Sequence, residues 1–114
     1  MLPKENRLSK KEIRQVFKRG KVIYGDLFLL KVYLNSLNLS RFSIIVPKKV
    51  AKKATQRNRI KRLARESLRK KLPKIKPGFD GAFIATSKIL EKDYWEIDEE
   101  IEKLLNKAGI KTRL

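Results

Sequence analysis

A chain of 114 residues with 41% apolar positions has room for one domain around one modest core, and its composition is that of a folded chain rather than a disordered basic tail. Thirty Lys and Arg against 12 Asp and Glu leave a formal charge of +18, which favours a polyanionic partner without saying which one. The absence of cysteine and histidine excludes a disulfide framework and thiolate or imidazole metal sites, and removes the commonest general base, all of which argues against a self-contained hydrolase.

In chain order, Met1-Leu2-Pro3-Lys4-Glu5-Asn6-Arg7 has no apolar signal core, and no apolar run anywhere approaches the roughly 20 residues of a membrane span, so a cytoplasmic protein without membrane association is expected. Ser9-Lys10-Lys11-Glu12 has the spacing of a capping box, with Leu8 and Ile13 placed as a hydrophobic staple and Gly20 suited to a left-handed stop. A helix from about Lys10 to Arg19 follows, with Ile13, Val16 and Phe17 on one face; periodicity alone makes Phe17 core. β-branched, aromatic and leucine residues dominate 21–34, with turns at Gly25-Asp26 and Asn35-Ser36-Leu37-Asn38, and predict strands near 22–24, 27–34 and 41–46. In the second strand Phe28, Leu30, Val32 and Leu34 make a core face, while Lys31 and Tyr33 leave the other face to a ligand. Pro47 ends the third strand and puts Lys48 and Lys49 at the end of the sheet, beside that open face.

The span 54–72 reads as the longest helix, because Ile60, Leu63, Ala64, Ser67 and Leu68 fall in one arc; Pro73 and Pro77-Gly78 close it. Residues 82–85 are an apolar run fit for a buried strand, able to pair in parallel with the previous strand because a helix separates the two. Asp93-Tyr94-Trp95-Glu96 is a second capping box, opening a helix whose stripe of Ile97, Ile101, Leu104, Leu105 and Ala108 ends at Gly109. The order is helix, three strands, helix, strand, helix, an α+β arrangement in a single domain spanning 1–114.

The charge is unevenly distributed. Between residues 48 and 76 stand fourteen Lys or Arg against one acid, Glu66, whereas residues 91–102 hold seven acids and one lysine. At 100° per residue Asn58, Lys61, Arg62, Arg65 and Arg69 gather opposite the apolar arc of the central helix, with Arg57 and Arg59 flanking them. Guanidinium groups fork onto phosphate oxygens or lie on bases, and Asn58 adds a neutral donor and acceptor. A merely solvated charged face is disfavoured by the scarcity of acids at i±4. A DNA-reading helix is disfavoured by the lack of a helix-turn-helix partner, zinc ligands or a leucine zipper. Asp26 and Asp80 stand beside glycines in expected turns, and no catalytic carboxylate pair or metal cluster can be read.

Arg57-Asn58-Arg59-Ile60-Lys61-Arg62-Leu63 resembles the signature of the protein subunit of bacterial ribonuclease P. The resemblance extends to Val16-Phe17-Lys18-Arg19-Gly20, to Val46-Pro47-Lys48-Lys49 and to the order of elements, covering nearly the whole chain. It implies a two-layer α/β sandwich of order αβββαβα, ribosomal protein S5 domain 2-like, with a left-handed βαβ crossover that general rules of chirality would not select. It also implies a catalytic RNA subunit that removes the 5′ leader of precursor tRNA using Mg2+ bound mainly by RNA and substrate. The protein then assists substrate and metal affinity, supplies no catalytic or metal-ligating residue, and requires no protein partner.

By this resemblance the RNA subunit is bound by Arg57, Asn58, Arg59, Lys61, Arg62, Arg65 and Arg69. The single-stranded leader lies in a cleft bordered by Ile13, Arg14, Phe17, Lys31, Tyr33, Lys48 and Lys49, where bases stack on aromatics beside cations. Ile13 stands where the family often has Phe and Lys31 where it often has Tyr, a departure that weakens stacking and strengthens charge contacts; Tyr33 is placed to supply a ring. Pro47 replaces a small residue and Ala51-Lys52-Lys53 lacks a glycine that many members carry. The rival readings are a ribosomal or ribosome-assembly RNA-binding protein, which size and charge equally permit, and a self-sufficient nuclease built on Asp26 or Asp80.

Overall fold

Ser9 accepts from the Glu12 backbone N–H (3.2 Å) and Glu12 accepts in return from the Ser9 N–H (2.7 Å). This box starts helix α1, Lys10–Arg19, in the computed structural model of the protein, which describes residues 2–111. The predicted stop at Gly20 is corrected: its φ is −74°, not left-handed. Glycine stands there because of close packing instead, since a Cβ would meet the Val16 carbonyl oxygen at 2.5 Å and that of Val32 at 3.0 Å. The chain passes directly from α1 onto the sheet through a gap that admits only hydrogen.

Strands β1 (Lys21–Tyr24), β2 (Phe28–Leu34), β3 (Arg41–Ile45) and β4 (Phe79–Ala85) form one sheet in the order β1-β2-β4-β3. β1, β2 and β4 pair antiparallel, while β3 and β4 pair in parallel across the connecting helix α2, Ala54–Lys71, as the separation of the two strands predicts. β4 begins three residues earlier than the apolar run indicates, so that Phe79 and Asp80 pair with Leu34 and Tyr33. Asp80 is therefore a buried strand residue, not the turn residue expected from its neighbour Gly81. Short 3-10 turns at Lys4–Asn6, Leu72–Lys74 and Ser87–Ile89 complete the connections, and Pro73 falls within the second.

Alternation divides the sheet into two faces. On one, Phe28, Leu30, Phe42, Ile44, Phe83 and Ala85 pack against Ile60, Ala64 and Leu68 of α2 and against Ile97, Ile101, Leu104 and Leu105 of helix α3, Tyr94–Ala108. Phe83 is the centre of this layer, with the Phe28 ring edge-on at 5.8 Å and the Phe42 ring at 6.1 Å. α3 is itself closed by both predicted devices, the Asp93/Glu96 capping box and a left-handed Gly109 at φ 71°. Two acids tie it in place. Glu100 accepts from the N–H groups of Leu27 (2.8 Å) and Phe28 (3.3 Å), while Asp98 accepts from Ser67 (2.7 Å) and pairs with Lys71 of α2. Burial pushes the Asp98 carboxyl up, but the hydrogen bonds from Lys71 and Ser67 outweigh it and hold it below its ordinary value.

α1 lies on the other face. Val16 and Ala82 are fully buried yet stand outside the main core cluster, and they mark the small second patch through which α1 rests on the sheet. Gly20→Ala is expected to lower stability by about 1–3 kcal/mol, the usual cost of overpacking against atoms that cannot yield. Gly109→Ala, with open space around it, is expected to cost only about 1–2 kcal/mol for its left-handed backbone. Urea midpoints of the two variants check the order.

Candidate nucleic-acid interface

The position of α1 over the sheet is set by charge. Arg41, at the start of β3, forks onto Asp80 of β4 (Nε to Oδ1 2.9 Å, Nη2 to Oδ2 2.8 Å), and its remaining arm pairs with Glu12 of α1. Asn35 donates a further bond to Asp80 at 2.7 Å. The side chain of Asp80 is 4% exposed, so removing Arg41 would leave a carboxylate buried and short of partners, a change that costs about 3–5 kcal/mol in buried pairs. The Ser9 backbone N–H, the Ser9 hydroxyl and Arg41 together hold the Glu12 carboxyl below its ordinary range. The hydrogen bond to Asp80, joined by the charges of Asp80 and Glu12, keeps Arg41 firmly protonated.

From this anchor α1 crosses the sheet above Asp80 and Ala82 and reaches β2 at Gly20. Beyond its shadow Leu29, Lys31, Ser43, Ile45 and Ile84 of the same face are only half-buried. They form the floor of a cleft whose wall carries half-buried Ile13 and Phe17, which is 43% exposed. That exposure overturns the core role that periodicity assigns to Phe17. Lys31 is brought against it, with Nζ 4.8 Å from the ring centroid and 3.4 Å from the Phe17 carbonyl oxygen. Arg14 is exposed on α1, and Lys48 and Lys49 are exposed in the turn where the Pro47 carbonyl accepts from Val50 and Ala51. Tyr33 shares the sheet face but, among the described residues, makes no ring contact with Phe17. Sequence reasoning missed Leu29, Ser43, Ile45 and Ile84; β2 and β3 alternation was the available signal, whereas β4 is apolar on both sides.

The second surface is α2. Ile60, Ala64, Ser67 and Leu68 are buried as expected, with Leu63 half-buried. Of the seven residues on the basic stripe and its flanks, three have internal partners. Arg57 donates to the carbonyl oxygens of Ala51 (2.9 Å) and Lys52 (2.8 Å), and Arg59 donates to that of Lys92 (3.1 Å). Arg69 pairs with Glu66 at 2.8 Å, which partly corrects the expectation that the stripe lacks neutralising acids. That partner also holds the Glu66 carboxyl below its ordinary range. Asn58, Lys61, Arg62 and Arg65 make no side-chain hydrogen bond or ion pair with the described residues. Asn58 and Arg62 are exposed, and Lys61 and Arg65 are half-buried.

Asp80 is saturated by Arg41 and Asn35, and among the described residues no three His, Cys, Asp or Glu gather into a metal site. No described helix is long and apolar enough to cross a membrane.

Comparison with known proteins agrees with this geometry. Residues 2–109 match the family model described as Ribonuclease P. The chain is 45% identical over 109 residues to the Ribonuclease P protein component of Clostridium botulinum (strain Loch Maree / Type A3), covering 94% of this chain and 97% of that one. It is 43% identical over 106 residues to that of Dehalococcoides mccartyi (strain CBDB1), covering 92% and 86%. Among solved structures, the RNase P protein from Thermotoga maritima superposes with a TM-score of 0.81 at 32% identity, covering 89% of this chain and 96% of that one.

Because Glu12 has a depressed pKa in the folded state, the stability it contributes is present above the ordinary glutamate range and is lost as pH falls through the lower, folded value. The difference in denaturation midpoint between the natural chain and Glu12→Gln is expected to be largest near neutral pH and to shrink on acidification below that range. A difference independent of pH would contradict the assignment.

Proposed function

Because this chain belongs to the ribonuclease P protein family, we propose that it binds the catalytic RNA subunit through the free face of α2 and the single-stranded 5′ leader of precursor tRNA through the cleft beneath α1. It is the protein component of ribonuclease P, the ribonucleoprotein that processes the 5′ end of tRNA. The observation that carries the finer reading is the group of Asn58, Lys61, Arg62 and Arg65, whose polar ends have no internal partner among the described residues, on a helix otherwise tied down by its arginines.

The chemistry follows from that arrangement. Lys61, Arg62 and Arg65 meet phosphates and release counterions, so affinity for the RNA subunit is steeply salt-dependent. Arg57 holds the segment that leads into α2 and Arg59 holds the loop before α3, and their remaining N–H donors add to the same surface. In the cleft, Lys31 rests on the Phe17 ring. A leader base stacking on Phe17 takes that place and leaves the ammonium beside the adjoining phosphate. The half-buried floor of Leu29, Ile45 and Ile84 receives bases without reading their edges, which suits a leader of variable sequence. In this reading magnesium and the cleavage chemistry reside with the RNA subunit and the substrate in the cytoplasm, and the protein raises their effective affinity by holding both RNAs at once.

Arg62→Ala and Arg65→Ala are each expected to weaken binding of the RNA subunit and to flatten the log–log salt dependence by about 0.7–0.9 for each phosphate left unneutralised. Filter binding across a salt series reads this, and an unaltered slope would refute direct pairing with phosphate. Phe17→Ala is expected to weaken leader-bearing precursor tRNA more than mature tRNA, by about 1–3 kcal/mol for one stacked base. Equal effects on both substrates would point to damage where α1 meets the sheet instead.

A further inference from the structure

The Asp93/Glu96 capping box fixes Tyr94 and Trp95 in the first turn of α3, and the two are treated differently by the fold. Tyr94 lies against α2, with Lys70 Nζ 5.2 Å from its ring centroid. Trp95 meets the Tyr94 ring edge-on at 5.1 Å and is otherwise turned to solvent, 72% exposed. A tryptophan normally buries most of a large apolar surface, so one held rigidly outward is an informative exception.

Its surroundings are cationic on the α2 side. Arg59 binds the Lys92 carbonyl oxygen and so joins the loop before α3 to the first turns of α2, and Lys70 flanks Tyr94. The acids nearby are already engaged: Glu96 by the Asp93 N–H and Lys92 (3.5 Å), Asp98 by Lys71 and Ser67, Glu99 by Lys103 (3.6 Å), and Glu66 by Arg69 and Lys70. The repulsion expected of an acidic α3 is thus muted at its first turn. On α2, Arg59, Arg62, Glu66 and Arg69 succeed one another at three- and four-residue spacing, so Arg59, which reaches the loop before α3, shares a flank with the unpaired Arg62.

We infer that Trp95, backed by Tyr94, is a stacking platform for an unpaired base of the catalytic RNA subunit, placed at the border of the α2 surface. The inference rests on the α2 reading. It assigns the platform to the RNA subunit and not to the leader, because α3 packs on the opposite face of the sheet from the cleft.

Trp95 is the one tryptophan of the chain, so its emission reports this site alone. The full-length protein is titrated with cognate RNA subunit while binding is followed independently by anisotropy of end-labelled RNA. Quenching or a spectral shift that saturates together with the anisotropy supports the platform. Trp95→Ala is expected to weaken binding about fivefold or more with no change in salt slope, and Trp95→Tyr to restore most of the affinity. Arg62→Ala, by contrast, changes the slope. Binding with unchanged Trp95 emission and unchanged affinity of Trp95→Ala overturns the platform and leaves the α2 reading intact; no binding at all overturns both. Quenching by a leader oligonucleotide alone, or on concentrating the protein without RNA, would name a different occupant and likewise overturn it.

Discussion

Arg41 joins three elements through one guanidinium: β4 through the fork onto Asp80, α1 through Glu12, and β3 through its own backbone. The main core does not need this junction, because α2 and α3 close the opposite face of the sheet by apolar packing together with the Asp98 and Glu100 contacts. What depends on it is the second face. Without α1 held above Asp80 and Ala82 there is no wall for Phe17 to stand on and no cleft between that wall and the open floor of Leu29, Ile45 and Ile84. A polar clamp suits the task, since an apolar patch broad enough to hold α1 would fill the groove beside it.

The same logic governs charge throughout the molecule. A chain with 30 basic and 12 acidic residues repels itself, and the acids stand where they offset that repulsion structurally. Asp98 fastens α3 to α2, Glu100 satisfies the first N–H groups at the start of β2, Glu12 and Asp80 dock α1, and Asp93 and Glu96 cap α3. The cations left without such partners among the described residues include Lys61, Arg62 and Arg65 on α2, Arg14 on α1, and Lys48 and Lys49 in the turn after β3. Two cation-bearing surfaces thus arise on different elements of a small domain, one on a helix and one beside a sheet face.

Features with local causes were legible in the sequence. The boxes at Ser9/Glu12 and Asp93/Glu96 and the stop at Gly109 need only neighbouring residues, and α1 and α3 begin and end where those residues place them. The buried arc of α2 and the parallel pairing of β3 with β4 followed from periodicity and chain separation. The failures share a different origin. Gly20 is wedged between the carbonyl of Val16 in its own helix and that of Val32 on the neighbouring strand, and Asp80 is a strand residue because of partners in β2 and β3. Arg57 and Arg59 bind backbone carbonyls, which carry no signature in the sequence, so their flanking place on the helical wheel did not reveal that they are tied down while Arg62 and Arg65 are not. The family resemblance supplied the cleft, but the exposure of Phe17 and the cation seated on it came from tertiary structure.

The central claim is that α2 and the α1 cleft face different RNA molecules. A chain without cysteine allows a single tethered radical source to be placed on each surface, at Ala54→Cys beside the α2 stripe or at Lys18→Cys on exposed α1. In the assembled holoenzyme with precursor tRNA, strand cleavage from position 54 should map to the RNA subunit and cleavage from position 18 to the leader. Cleavage of one and the same RNA from both positions, or the reverse assignment, would contradict the account.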